Sequence, residues 1–185
     1  MEGSAYAATI PPGTSASRLQ AASGADAGQA TGHPNDCRYR NVMTVPANLQ
    51  HVVDQFAKAP SNLRLPLLLE YANKLPALPE SMQGDPDRFE RVEECQTPLF
   101  LASEVTDGVV RIWFDAPEEA PTTRGFASIL SHGLDGATVD DVLSVSGDVA
   151  SELGLTTLIS PLRLRGLEGM IGRLQRQVRE ASQGA

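Results

Sequence analysis

Cys95 stands where a charged stretch, Arg91-Val92-Glu93-Glu94, gives way to an apolar run, Leu99-Phe100-Leu101. A thiol reacts as its thiolate, so its surroundings decide whether it is inert or a nucleophile. At the lip of a hydrophobic strand it can be covered or presented by small loop movements, which suits a nucleophile or a sulfur carrier. The alternative for a lone cysteine is a small buried hydrophobe. Two features of the chain favour a presented loop. The residues before Cys95 are polar and charged, and Pro98 removes a backbone donor and restrains Thr97, which stiffens the chain just after the thiol.

Other chemistry finds little support. His33, His51 and His132 are far apart in sequence and lack a Cys or carboxylate partner at ligand spacing, so no zinc signature forms. Gly166, Gly169 and Gly172 lack the preceding strand and turn of a phosphate loop. Neither a histidine pattern nor a Cys-x-x-Cys motif supports a cysteine hydrolase or a thiol oxidoreductase, which stand as the enzymatic alternatives. A pure interaction module with a structural cysteine is the other. The second cysteine, Cys37, lies far upstream and reads as a spare thiol, so a structural disulfide is not expected and a reducing compartment fits.

The 185-residue chain carries a net charge of −8. That balance argues against binding a phosphate backbone, which needs clustered Lys and Arg. No apolar run approaches the roughly 20 residues of a membrane span, and the N-terminus has neither a basic nor an apolar leader region. A cytoplasmic protein with no nucleic-acid and no membrane partner is expected.

Residues 1–42 are rich in Ala, Gly, Ser, Thr and Pro without helical or strand periodicity, and are expected to be a disordered or non-native extension. Met43 then stands as a candidate true start, and Glu2, Asp26 and Asp36 disfavour a transit peptide. Residues 43–185 form the expected domain. Leu49, Val52, Val53 and Phe56 mark one face of a first helix that stops near Pro60. The run Leu63 to Leu75 predicts a second, more buried helix with Pro66 in its first turn, followed by a polar connection from Glu80 to Glu90. Leu99 to Val105 and Val109 to Asp115 read as strands joined through Asp107-Gly108, with Val110, Ile112 and Phe114 on one face. Phe126, Ile129, Leu130 and Leu134 form a third helical stripe with Gly133 or Gly136 as its stop. Short helices are expected after the cap at Thr138 and from Asp148 to Leu153. The last helix, Arg163 to Ala181, carries Leu164, Leu167, Ile171, Leu174 and Val178 on one side. Arg163 and Arg165 oppose its dipole, and its glycine triplet costs about 1 kcal/mol each in propensity, so close packing against the sheet is expected to offset that cost.

Taken in order, four stretches from about Leu49 to Ala181 resemble the SufE family of sulfur acceptors. Leu75-Pro76-Ala77-Leu78-Pro79 is similar to the turn that closes the family's second helix. Val92-Glu93-Glu94-Cys95-Gln96-Thr97-Pro98-Leu99-Phe100 resembles its V-x-G-C-x-S-x-V-W motif, Arg124-Gly125-Phe126 its basic-Gly-apolar helix start, and Ser160 to Ile171 its S-P-x-R-x-x-G-L-x-x-M-I. Departures are Glu94 for glycine, Thr97 for serine, Pro98 for a residue usually polar, Phe100 for tryptophan, and Arg165 for Asn or Gln. Glu94 matters most, because a carboxylate beside a thiol opposes thiolate formation and lacks the freedom of glycine.

The resemblance implies an α+β fold, a small antiparallel sheet with helices packed on it. It also implies that Cys95 accepts persulfide sulfur from a SufS-type cysteine desulfurase, stimulates that enzyme, and delivers sulfur to a SufBCD-type scaffold for iron–sulfur cluster assembly. The chain would then be a carrier and activator, working as a monomer or weak homodimer. It would need no cofactor of its own, since pyridoxal phosphate belongs to the desulfurase. Arg163 and Arg124 are the residues it implies as support for the loop or the partner contact; independently, their places at two helix starts suggest that one or the other offsets Glu93 and Glu94 and lowers the Cys95 pKa. Leu99, Leu101 and Phe126 are the expected lining of a resting sulfur site.

Overall fold

Each of the longer elements follows from where its apolar residues fall. The computed structural model describes residues 45–83 and 86–184. The segment 1–42, with Cys37 and His33, and the start at Met43 lie outside the described residues. In chain order the elements are α1 (Ala47–Lys58), α2 (Ser61–Ala72), β1 (Glu90–Arg91), β2 (Phe100–Thr106), β3 (Val109–Asp115), α3 (Pro121–Leu134), α4 (Val139–Ser144), α5 (Val149–Glu152) and α6 (Pro161–Gln183), with two single 3₁₀ turns between α2 and β1. The three strands form one antiparallel sheet in the order β1-β2-β3, so the fold is α+β, as expected.

The β2–β3 hairpin turns through Asp107 (φ 51°) and Gly108 (φ 76°), the paired left-handed conformation for which an Asp-Gly pair is suited. Its register sets Leu101 opposite Phe114 and Val105 opposite Val110, which gives the sheet one apolar face. Helices α3 and α6 cover that face, and α1 and α2 pack on α3. The buried side chains of α6, Leu167, Met170, Ile171, Leu174 and Val178, recur at helical spacing and join the sheet's apolar face in one core. Thr138 caps α4 by accepting from the Asp141 N–H, and the Asp141 carboxylate accepts in return from the Thr138 N–H.

Three expectations need correction. The second helix spans Ser61–Ala72 and is the less buried of the first two: Leu68, Tyr71 and Ala72 face inward, while Leu63 (51%), Leu65 (36%) and Leu69 (39%) remain exposed. At 100° per residue, a nearly continuous leucine run cannot turn every side chain to one partner. The polar connection ends in a real strand, β1, whose two residues pair with Phe100 and Leu101; a strand that short has no alternation to read. The last helix begins at Pro161, two residues before Arg163, with proline at the first helical position where it suits.

Candidate functional site

Cys95 lies on the loop that joins β1 to β2. The loop is closed at its base by the Val92 N–H donating to the Leu99 carbonyl (2.9 Å), and Val92 and Leu99 are fully buried anchors. At the tip, the Cys95 N–H donates to the Val92 carbonyl (3.1 Å), a tight turn that folds the thiol inward. Cys95 is 7% exposed.

The loop is held on two sides. On one, the Thr97 and Thr123 hydroxyls stand 3.2 Å apart, linking the loop to the start of α3. On the other, the Glu94 carboxylate accepts from Arg173 on α6 through Nε (3.2 Å) and a terminal guanidine nitrogen (2.8 Å). The second terminal nitrogen of Arg173 donates to Glu90 on β1 (2.6 Å), and Glu90 also accepts from Arg176 and Gln177.

Two glycines of α6 make this approach possible. A Cβ at Gly166 would stand 3.0 Å from Cys95 Sγ, and one at Gly169 would stand 2.8 Å from a Glu94 carboxylate oxygen. The close packing expected for the glycine triplet is therefore against the cysteine loop rather than the sheet, while nothing lies within 4 Å of a Cβ at Gly172. A side chain in either slot would lift the loop from the helix.

Beside the thiol is a cavity of ≈ 150 Å³. Its walls come from the cysteine loop, the start of α3 with Thr123 and Phe126, and the first turns of α6 with Leu162, Arg163 and Met170. Phe126 is where the sequence put it. Leu99 and Leu101 are fully buried core residues outside the cavity wall, and Leu162 and Met170 take their place.

The electrostatics differ from expectation as well. Cys95 is pushed up to about 11, first by burial and then by the neighbouring Glu94 carboxylate, with Arg173 opposing. At neutral pH the closed loop thus keeps Cys95 as the neutral thiol. The arginine that acts on Cys95 is Arg173, which the sequence reading missed. Arg163 is exposed at the cavity wall. Arg124 is turned to structural work: its guanidinium donates to the Ala116 carbonyl (2.6 Å) and the Ala72 carbonyl (3.4 Å), tying the β3–α3 link to the end of α2. In sequence, nothing sets Arg173 apart from the other arginines on the charged face of this helix. The Glu94 carboxylate is held below the usual carboxylate range, chiefly by the Arg173 hydrogen bonds. For Glu90, burial works upward but is outweighed by the bonds from Gln177, Arg176 and Arg173, so its net shift is downward.

Among the described residues no group of His, Cys, Asp and Glu side chains could hold a metal ion, and no helix is long and apolar enough to cross a membrane.

Among the described residues, one thiol on a small α+β domain is folded against glycines and faces a partly open cavity with room for a small group beside the sulfur. Residues 50–178 match the SufE family, described as an Fe-S metabolism associated domain, and the chain belongs to that family. It is 52% identical over 139 residues to an uncharacterised SufE-like protein of Mycobacterium tuberculosis, covering 75% of this chain and 96% of that one. A hypothetical protein of Thermus thermophilus, solved in solution, is 43% identical with a TM-score of 0.67, covering 76% of this chain and 99% of that one. SufE-like protein 1 of Arabidopsis thaliana, chloroplastic/mitochondrial, is 27% identical over 72% of this chain and 35% of its own length. Membership of this family ties the chain to iron–sulfur metabolism in a sulfur-related role.

Proposed function

We propose that this chain is a cytoplasmic sulfur carrier. Cys95 takes the outer sulfur of a persulfide on a SufS-type cysteine desulfurase, stimulates that enzyme by clearing it, and passes the sulfur to a SufBCD-type scaffold. The observation that supports this reading best is the ≈ 150 Å³ cavity beside Cys95, walled by Thr123, Phe126, Leu162 and Met170. A persulfide is easily reduced or oxidised, and a sheltered volume next to the acceptor sulfur protects it between loading and delivery.

The step is a thiol exchange with one sulfur left behind. The Cys95 thiolate attacks the outer sulfur of the partner's persulfide, a new S–S bond forms, and the old one breaks with its electron pair leaving on the partner cysteine as thiolate. Cys95 ends as a persulfide, and no outside oxidant or reductant is consumed. Because the closed loop holds Cys95 almost wholly as neutral thiol, transfer follows opening of the loop, which restores solvation and ordinary acidity. Pyridoxal phosphate chemistry belongs to the desulfurase; this chain supplies the thiol, the shelter and the docking face, as a monomer or weak homodimer.

The test is intact mass after incubation with a SufS-type desulfurase and cysteine. A gain of about 32 Da on Cys95, the mass of one sulfur, supports the carrier. A Cys95→Ser protein that still stimulates the desulfurase and still takes up labelled sulfur overturns it.

A further inference from the structure

We infer that Arg173 is a positioning residue for Cys95: acting through Glu94, it latches the cysteine loop shut against α6, and access to the sulfur is set by whether that ion pair holds.

The two ties on the loop are unequal. On the Thr97 side there is a single hydroxyl–hydroxyl contact of 3.2 Å. On the Glu94 side one carboxylate oxygen takes two charge-assisted hydrogen bonds from one guanidinium, at 3.2 and 2.8 Å, and charge assistance makes this the stronger tie. Arg173 is itself pinned. It is 19% exposed against 44% for Glu94, and its third contact, to Glu90, anchors it to β1, where Gln177 and Arg176 also bind Glu90. The fixed half of the pair thus belongs to the helix and sheet, and the movable half belongs to the loop.

Glu94 immediately precedes Cys95 and packs on α6 along its whole length, Cβ as well as carboxylate, so this tie bears on the backbone that carries the thiol. The seat for that carboxylate is also built into the helix. At Gly169 an added Cβ would meet the Glu94 carboxylate oxygen at 2.8 Å, its Cδ at 2.9 Å and its Cβ at 3.0 Å. The remaining charges around this seat are Arg165 and Glu168 at its rim, with Arg176 beside Glu90. Glutamate at 94, glycine at 169 and arginine at 173 therefore form one device: a side chain, the slot that receives it, and the group that holds it there. The relevance of the latch to sulfur transfer rests on the carrier reading, but the latch itself does not.

Alkylation of the isolated full-length chain by iodoacetamide, with no desulfurase present, is the test. The rate is read at Cys95 by peptide mass, which scores it separately from Cys37. Two effects of removing Arg173 have opposite signs. Loss of its charge alone leaves the thiol less acidic and slows alkylation, whereas loss of the latch opens the loop and speeds it. Arg173→Met is expected to alkylate about tenfold faster at each pH from 7 to 9, the scale of losing a hydrogen bond between charged groups. Arg173→Lys, which keeps the charge but not the fork, is expected to fall between Arg173→Met and the parent chain. Gly169→Ala leaves Arg173 in place, evicts the Glu94 carboxylate, and is expected to accelerate Cys95 as well. A folded Arg173→Met protein that alkylates at or below the parent rate overturns the inference. So does a rise matched by equal gains in hydrogen exchange across α1 and β3, which would mean loss of the whole fold. If Arg173→Met does not fold, Gly169→Ala decides by the same criteria.

Discussion

Gly166 lies directly beneath the thiol: a Cβ there would stand 3.0 Å from Cys95 Sγ and 3.9 Å from its Cα. Gly172, further along the same helix, faces open space. The pair separates helix propensity from the site. Gly172→Ala is expected to stabilise the fold by about 0.5–1 kcal/mol and to leave Cys95 reactivity unchanged. Gly166→Ala gains the same propensity but must push the sulfur aside. Its unfolding free energy is expected to stay within about 1 kcal/mol of the parent, with Cys95 reacting several-fold faster with a small disulfide reagent. Urea unfolding and the reagent rate check both.

The raised pKa of Cys95 makes a pH prediction with a definite sign. Burial first, then Glu94, favours the neutral thiol in the folded state, so unfolding releases the thiol to a lower pKa. The stability this group contributes is fully present below its unfolded value and is lost as pH rises through about 11. Urea unfolding of the parent chain and Cys95→Ala between pH 8 and pH 11 is expected to show the parent losing more stability as pH rises. Parallel curves would remove the neutral thiol from the account.

Arg124 and Arg163 have different surroundings: one is bonded to backbone carbonyls, the other is exposed at the cavity wall. Arg124→Ala leaves the Ala116 and Ala72 carbonyls without their donor, and is expected to cost about 1–2 kcal/mol of stability with little change in the alkylation profile of Cys95. Arg163→Ala removes an exposed charge at the cavity wall. It is expected to shift stability by less than about 0.5 kcal/mol and, on the carrier reading proposed above, to raise severalfold the concentration needed to stimulate a desulfurase, more so at low salt. Thermal melts and a desulfurase titration separate the two roles.

Elements with a strong hydrophobic period were legible: α1, α3, α6 and the β2–β3 hairpin follow from side chains that must share a face. Cys95 was legible because a thiol at a polar-to-apolar junction is conspicuous. The parts that escaped are those fixed by tertiary contact. β1 exists because two residues pair with Phe100 and Leu101, and no local pattern announces it. Arg173 is indistinguishable in sequence from any solvated arginine on an amphipathic helix until the fold brings Glu94 beneath it. The glycine triplet was recognised as costly, but only the structure tells which of its members face the loop and which faces open space. The exposed leucines of α2 illustrate the reverse error, where composition suggested burial that geometry could not deliver.

Gly125, in the Arg-Gly-Phe stretch at the start of α3, has no room for a side chain. A Cβ there would meet the backbone oxygen of Leu68 at 2.5 Å and its side chain at 2.7 and 2.9 Å. A flexible side chain could swing away, but a helical carbonyl cannot, so α2 and α3 would have to separate along their shared face. Gly125→Ala is expected to lose about 2–3 kcal/mol despite alanine's better helix propensity, the range for overpacking a tight interface. The strain would also reach the site, because Thr123 and Phe126, on either side of Gly125, form one wall of the cavity and the loop's second tie. Cys95 is therefore expected to alkylate faster in Gly125→Ala than in a variant destabilised equally elsewhere, such as Val178→Ala at the far end of α6. Equal rates in two proteins of matched stability would show that this wall does not govern the thiol.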